Sequence, residues 1–245
     1  MTGAVSAPDG VQLLAQADLL LGLARCFSRP TAKAISALEE LAAAADDLTR
    51  AAQVAEPSAL VAALSGAAVG ARAAGVEAWA AEHERLFSCG VVCPIHETGF
   101  VCRDKGHILA DLAGFYLAFG VGLRPEVHER QDHLVAELEF LASLLVRLSA
   151  ARAGRRAEAA EVTGAALRAF ASDHLGDWLP GFAAHLRGSC ALDVYTRLAD
   201  ALAHTWAALV AAHGLDEPGR RLPMVEPGVE PGTPYECGMD EAGLA

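Results

Sequence analysis

Apolar positions recur along most of the chain at three- and four-residue spacing, the mark of helices with one buried face. Residues 11–27 put Leu13, Leu14, Ala17, Leu20, Leu21 and Ala24 on one side and stop at Ser28-Arg29-Pro30. A second helix is expected over 31–48, with Ile35, Leu38 and Leu41 in register, and a third, shorter one from Ser58 after Pro57. The fourth covers 76–87, with Trp79, His83, Leu86 and Phe87 roughly on one side; Gly66, Gly70 and Gly75 blur its border with the third. Further helices are predicted over 106–120, 157–171 and 192–213. Between the last two, Leu175, Trp178, Leu179 and Phe182 share a face, and Pro180 predicts a kink or a helix start near Trp178.

The most organised stretch is 130–145, R-Q-D-H-L-V-A-E-L-E-F-L-A-S-L-L. Leu134, Leu138, Leu141 and Leu145 form one stripe. Asp132 suits an N-cap, and Glu137 and Glu139 follow within two turns. The spacing alone describes a capped core helix, with an Asp132-His133 pair where it meets the preceding loop. Two segments lack helical periodicity. Residues 88–105 contain Gly90, Pro94 and Gly99 with Val, Ile and Phe, and predict a long ordered loop; 122–131 is a connector containing Pro125.

Composition narrows the fold class. Hydrophobic residues make up 53% of 245 residues, mostly Ala and Leu, and only 6% are aromatic. Strand formers are sparse, so an all-α, single-domain helical bundle is expected. It would span 10–213, between a loose tail over 1–9 and a Pro/Gly-rich tail over 214–245. A net charge of −12 argues against nucleic acid and favours a basic partner. No secretory signal is legible, and no apolar run reads as a membrane span, Asp18 interrupting the best candidate. A cytoplasmic protein without stable membrane insertion is expected.

Three chemistries compete. Cys89, Cys93 and Cys102, with Cys237 of the tail and His96 as an extra ligand, could hold zinc or an iron–sulfur cluster. Their spacing is not the two-residue interval of zinc ribbons and ferredoxins, and free or packed thiols are the plainer reading. His133 beside Asp132, four residues before Glu137, could do acid–base work. No nucleophile elbow, phosphate loop or paired Glu-x-x-His motif accompanies it, so no enzyme is expected. The third is a peptide groove between the 79–87 face, the 94–100 loop and the start of the 132 helix. Its acidic neighbours Glu84, Glu97, Asp132 and Glu137 suit an apolar segment carrying arginine. Against it stands simple core packing, the expectation for Trp79 and Phe115.

Four motifs occur in order: E-R-L-F at 84–87, C-P-I-H-E-T at 93–98, Q-D-H-L-V-A-E-L-E-F-L at 131–141 and H-L-G-D-W-L-P-G-F at 174–182. Together they resemble the TorD/DmsD/NarJ family of cytoplasmic chaperones for molybdenum-cofactor enzymes, over roughly residues 10–212. The resemblance implies about ten helices, no cofactor of its own, and a monomer or dimer. It also implies binding of the catalytic subunit of a molybdopterin-dependent oxidoreductase, often through its twin-arginine leader, during cofactor insertion and before export. By similarity His83, Leu86, Phe87, Asp132 and His133 would contact the peptide, and Pro94 and Glu97 would shape the loop between them. On that reading Asp132→Ala and Phe87→Ala weaken leader binding and leave the fold intact. Two departures stand out: Arg130-Gln131 where a proline often precedes the Asp-His pair, and His96 where an aromatic residue is common.

Overall fold

The computed structural model describes residues 7–88, 92–122 and 130–215. Asp9 opens the first helix, α1 (Gly10–Phe27), by accepting from the backbone N–H of Gln12 at 2.8 Å. Pro8 and Asp9 thus belong to the fold and not to a tail. There follow α2 (Ala34–Ala51) and the long α3 (Pro57–His83), which continues into a π turn, Glu84–Ser88. After the loop, with its 3-10 turn at Glu97–Gly99, come α4 (Lys105–Ala118), α5 (Leu134–Ala153) and α6 (Ala157–Phe170). A second π turn, Ala171–Leu175, leads into α7 (Gly176–Ser189), and α8 (Asp193–His213) ends at Gly214 in the left-handed conformation. Among the described residues that makes eight α-helices and no strand, fewer than the ten or so expected.

One reason is that the third and fourth expected helices are one element. α3 runs through all three glycines and bends only at Gly75, whose φ is 80°. The other two glycines serve packing. A Cβ on Gly70 would lie 3.3 Å from the backbone nitrogen of Val194, and one on Gly66 would lie 3.2 Å from the Arg197 side chain. They let α8 approach α3 closely. Pro180 sits inside α7, which starts at Gly176, two residues before the start near Trp178 that was one of the two alternatives. Only the hydrogen bond to the first residue of the helix is forgone.

The most extensive helix pairing joins α1 to α5, followed by α3 with α8 and α2 with α3. Leu13, Leu20, Leu23 and Phe27 of α1 and Leu134, Leu138, Leu141 and Leu145 of α5 belong to one contiguous core, as does Trp79. Phe115 packs against it half-buried. Contrary to the sequence reading, two segments, Gly10–Phe27 and Pro57–Ser88, are long and apolar enough to cross a membrane by length and composition. The first is mostly buried in the core, which satisfies the same criterion; the second is rich in alanine and buried over about a third of its apolar window.

Candidate peptide-binding hinge

Asp132 does not cap α5. That role falls to His133, whose Nδ1 accepts from the Val135 backbone N–H at 3.2 Å. Asp132 turns the other way and is wholly buried. Its Oδ2 accepts from the Thr98 hydroxyl and from Arg130, each at 2.8 Å, and from the Thr98 backbone N–H at 3.3 Å. The backbone completes the clamp: Glu97 N–H donates to Asp132 O at 2.9 Å and Leu134 N–H to Ile95 O at 3.0 Å, while His96 and His133 pair as an isolated antiparallel bridge. This is why the loop, described from residue 92, is ordered; its polar backbone is satisfied by the start of α5. Gly99 is required here, since a Cβ would come within 2.4 Å of the half-buried Pro94 ring.

The end of α3 reaches the same place. The His83 and Phe87 rings meet edge to face at 5.0 Å, and His83 Nε2 donates to Phe27 O at 3.2 Å. Phe87 also packs on Phe182 and Tyr195, with ring centroids 6.3 and 5.5 Å apart. The His96 and His133 rings meet edge to face at 5.2 Å. Burial holds all three histidines below their ordinary pKa, and His133 falls to about 3, its neighbours His96 and His83 adding to the effect. The site is therefore a trio of neutral imidazoles set among aromatic rings.

Behind it lies a buried acidic layer. Glu97 accepts from Arg103 through Oε1 at 2.7 Å, and its Oε2 lies 2.9 Å from His174 Nδ1. Glu137 Oε2 accepts from the Trp178 indole at 3.1 Å. Burial, and then the nearby Glu97 carboxylate, raise the Glu137 pKa well above the usual carboxylate range. Glu137 is thus neutral, and does not offer an anion to an arginine. Of the expected acidic neighbours, only Glu84 reaches the surface, where it pairs with Arg29 at 2.8 Å.

The structure thus brings His83, Leu86, Phe87, Pro94, Glu97, Asp132, His133 and Glu137 to one hinge between the end of α3, the loop and the start of α5. It keeps all but Pro94 buried. Surface recesses lie between α1 and α2, between α2 and α3, beside α4, and between α7 and α8, and none of these four is lined by the eight hinge residues. Asp132→Ala and Phe87→Ala therefore touch the fold directly, against the expectation that they spare it. The sequence pattern did not point to Thr98, Arg103, Arg130, His174 and Trp178 as partners of the buried carboxylates. Three of them, Thr98, His174 and Trp178, lie inside the motifs that carried the resemblance, which was the available signal.

The thiols separate. Cys93 is buried, and burial pushes its pKa up to about 12, whereas Cys102 is exposed. Cys89 and Cys237 lie outside the described residues. Among the described residues no three His, Cys, Asp or Glu side chains stand ready to hold a metal ion.

The family profile described as nitrate reductase delta subunit matches residues 26–184, a span that contains the whole hinge. The chain belongs to this family. Two relatives sharpen the comparison. A chlorate reductase assembly chaperone protein of Ideonella dechloratans is 43% identical over 88 residues, 36% of this chain and 44% of that protein. A selenate reductase assembly chaperone protein of Thauera selenatis is 43% identical over 83 residues, 34% of this chain and 42% of that protein. The matched segments span less than half the length of either relative. The family assignment agrees with the resemblance read from the four motifs.

Proposed function

We propose that this protein is an assembly chaperone for the catalytic subunit of a molybdenum-containing reductase, acting in the cytoplasm on the subunit's N-terminal leader. The observation that carries the reading is the delta-subunit family match across both walls of the hinge. The two relatives named as assembly chaperones support it. The chemistry is compatible. A net charge of −12 attracts a leader that is basic at one end, over long range, and apolar burial supplies the affinity. Because the hinge is closed, the leader's apolar segment gains access to His83 and Phe87 only when the 92–101 loop lifts from the start of α5. Release of the client follows from the loop's return, which restores the hydrogen bonds of Asp132.

Co-expression tests this directly. The full-length chain is produced with a molybdenum-containing reductase catalytic subunit from the same genome, intact or lacking its leader, and copurification is measured. Retention of the intact subunit and loss of the leaderless one supports the proposal. Equal retention of both overturns leader recognition while keeping the assembly role, and retention of neither overturns both.

A further inference from the structure

The recess between α1 and α2 plays no part in the hinge. It holds about 500 Å³, the size of a small-molecule site. Its floor is apolar, with Leu21, Cys26, Leu41 and Leu48 buried or half-buried. Gly22 sets its shape, since a Cβ there would come within 2.7 Å of the Leu41 side chain. The charges along it are segregated. Arg25 and Arg29 from the end of α1 and Lys33 from the start of α2 line one mouth. Asp18 and Glu40 lie about 10 Å along the two helices from Arg25 and Lys33, at the other mouth. Arg29 pairs with Glu84 at 2.8 Å, whereas Arg25 and Lys33 have no ionic partner among the described residues. The start of α2 adds to the imbalance. Lys33 occupies its cap position without a capping bond, and the first turn holds no acidic residue. The positive end of an 18-residue helix therefore borders the same mouth uncompensated.

We propose that this recess binds a soluble amphiphilic anion. An oxyanion head, phosphate or carboxylate, is held by Arg25, Lys33 and the start of α2, and an apolar body lies along Leu21, Leu41 and Leu48. Each half answers one feature of the recess. The guanidinium and the ammonium supply charge-assisted donors to the head. The leucine floor takes apolar surface out of water. Asp18 and Glu40 fix the polarity, because a head placed at their mouth would meet like charge. The source of the head is a free molecule and not a bilayer. The site is a slot between two helices, and a chain of net charge −12 is repelled by an extended anionic surface. The proposal is independent of leader recognition, since neither helix face belongs to the hinge.

Calorimetric titration of the full-length chain with octyl phosphate, below its micelle concentration and at low salt, tests the site. Octanol and inorganic phosphate serve as its two halves. Octyl phosphate is expected to bind saturably and roughly tenfold or more tighter than either half. Arg25→Gln and Lys33→Gln, both at exposed positions, should each weaken octyl phosphate roughly threefold to tenfold, leave octanol unchanged and leave thermal unfolding unchanged. Ala44→Leu, at an exposed position lining the slot, should block octyl phosphate and octanol alike. Octyl phosphate binding no tighter than octanol, equal affinity in both charge variants, or no saturable binding at all would each overturn the site. Phosphatidylglycerol vesicles retained by the wild type and released by Arg25→Gln and Lys33→Gln would assign the cations to a membrane surface and overturn the soluble ligand.

Discussion

Trp178 donates its indole N–H to Glu137 Oε2 across 3.1 Å, and neither side chain meets solvent. Because Glu137 keeps its proton when folded and loses it when unfolded, the folded chain binds more protons at pH values above the ordinary 4.5. Stability therefore declines as pH rises from 4.5 toward the raised value, at up to about 1.4 kcal/mol per pH unit. Glu137→Gln keeps the shape and the acceptor and removes that slope. Urea unfolding at pH 5 and pH 8 should find the variant within about 1 kcal/mol of wild type at the lower pH and more stable than it at the higher. Glu137→Ala, by contrast, leaves a cavity and an unpaired indole N–H and should cost about 2–4 kcal/mol at either pH.

Asp132→Ala should cost about 2–4 kcal/mol, since three donors lose a buried anion at once. Arg130→Ala, at a half-exposed partner of the same carboxylate, should cost less than about 1 kcal/mol. Phe87→Ala opens the aromatic core and should cost about 3–5 kcal/mol. Equilibrium unfolding of the three variants gives the order. If Asp132→Ala proved as mild as Arg130→Ala, the hinge would not be held by this carboxylate.

The three hinge histidines make the protein sensitive to acid. Below pH 6.5 the unfolded chain takes up protons that the buried imidazoles refuse, so stability is lost as pH falls. For His133 the loss continues down to about pH 3. His133→Gln should flatten this limb by about 1.4 kcal/mol per pH unit between pH 6 and pH 4. Histidine proton NMR should show His133 neutral at pH 5; a signal titrating near 6.5 would contradict the burial that defines the site.

Glycines on two helix faces should respond in opposite directions. Gly70→Ala pushes a methyl toward the Val194 backbone at 3.3 Å and should destabilise by about 1–2 kcal/mol. A Cβ added at Gly114, mid-helix in α4, would meet nothing within 4 Å, so Gly114→Ala should stabilise by about 0.5–1 kcal/mol. Paired thermal melts would show the two shifts with opposite sign.

The helical architecture was legible because Leu and Ala spacing records burial directly, as in α1, α5 and α8. The α3 boundary was not, because a glycine that breaks a helix and one that admits a neighbouring helix look alike until α8 is in place. The convergence of 83–87, 94–97 and 132–137 entered as one candidate groove and was strengthened by the order of four motifs, since no local rule links residues so far apart. What the sequence hid was burial. Asp132, Glu97 and Glu137 read as a rim for arginine, but Thr98, Arg103, Arg130, His174 and Trp178 satisfy them from inside. The cap assignment failed for a related reason: the Asp132 carboxylate gains more from three donors across the hinge than from one N–H of its own helix.

The pairing of α1 with α5 also has a consequence for how the protein is made. α1 ends at residue 27 and its principal partner does not begin until residue 134. During synthesis α2 is the first partner available to α1, and the face of α1 that meets α5 stays uncovered until residue 134 has been made, an interval in which nascent chains are prone to stick. That face of α1 is a surface that a ribosome-associated holdase would meet in the interval before α5 emerges.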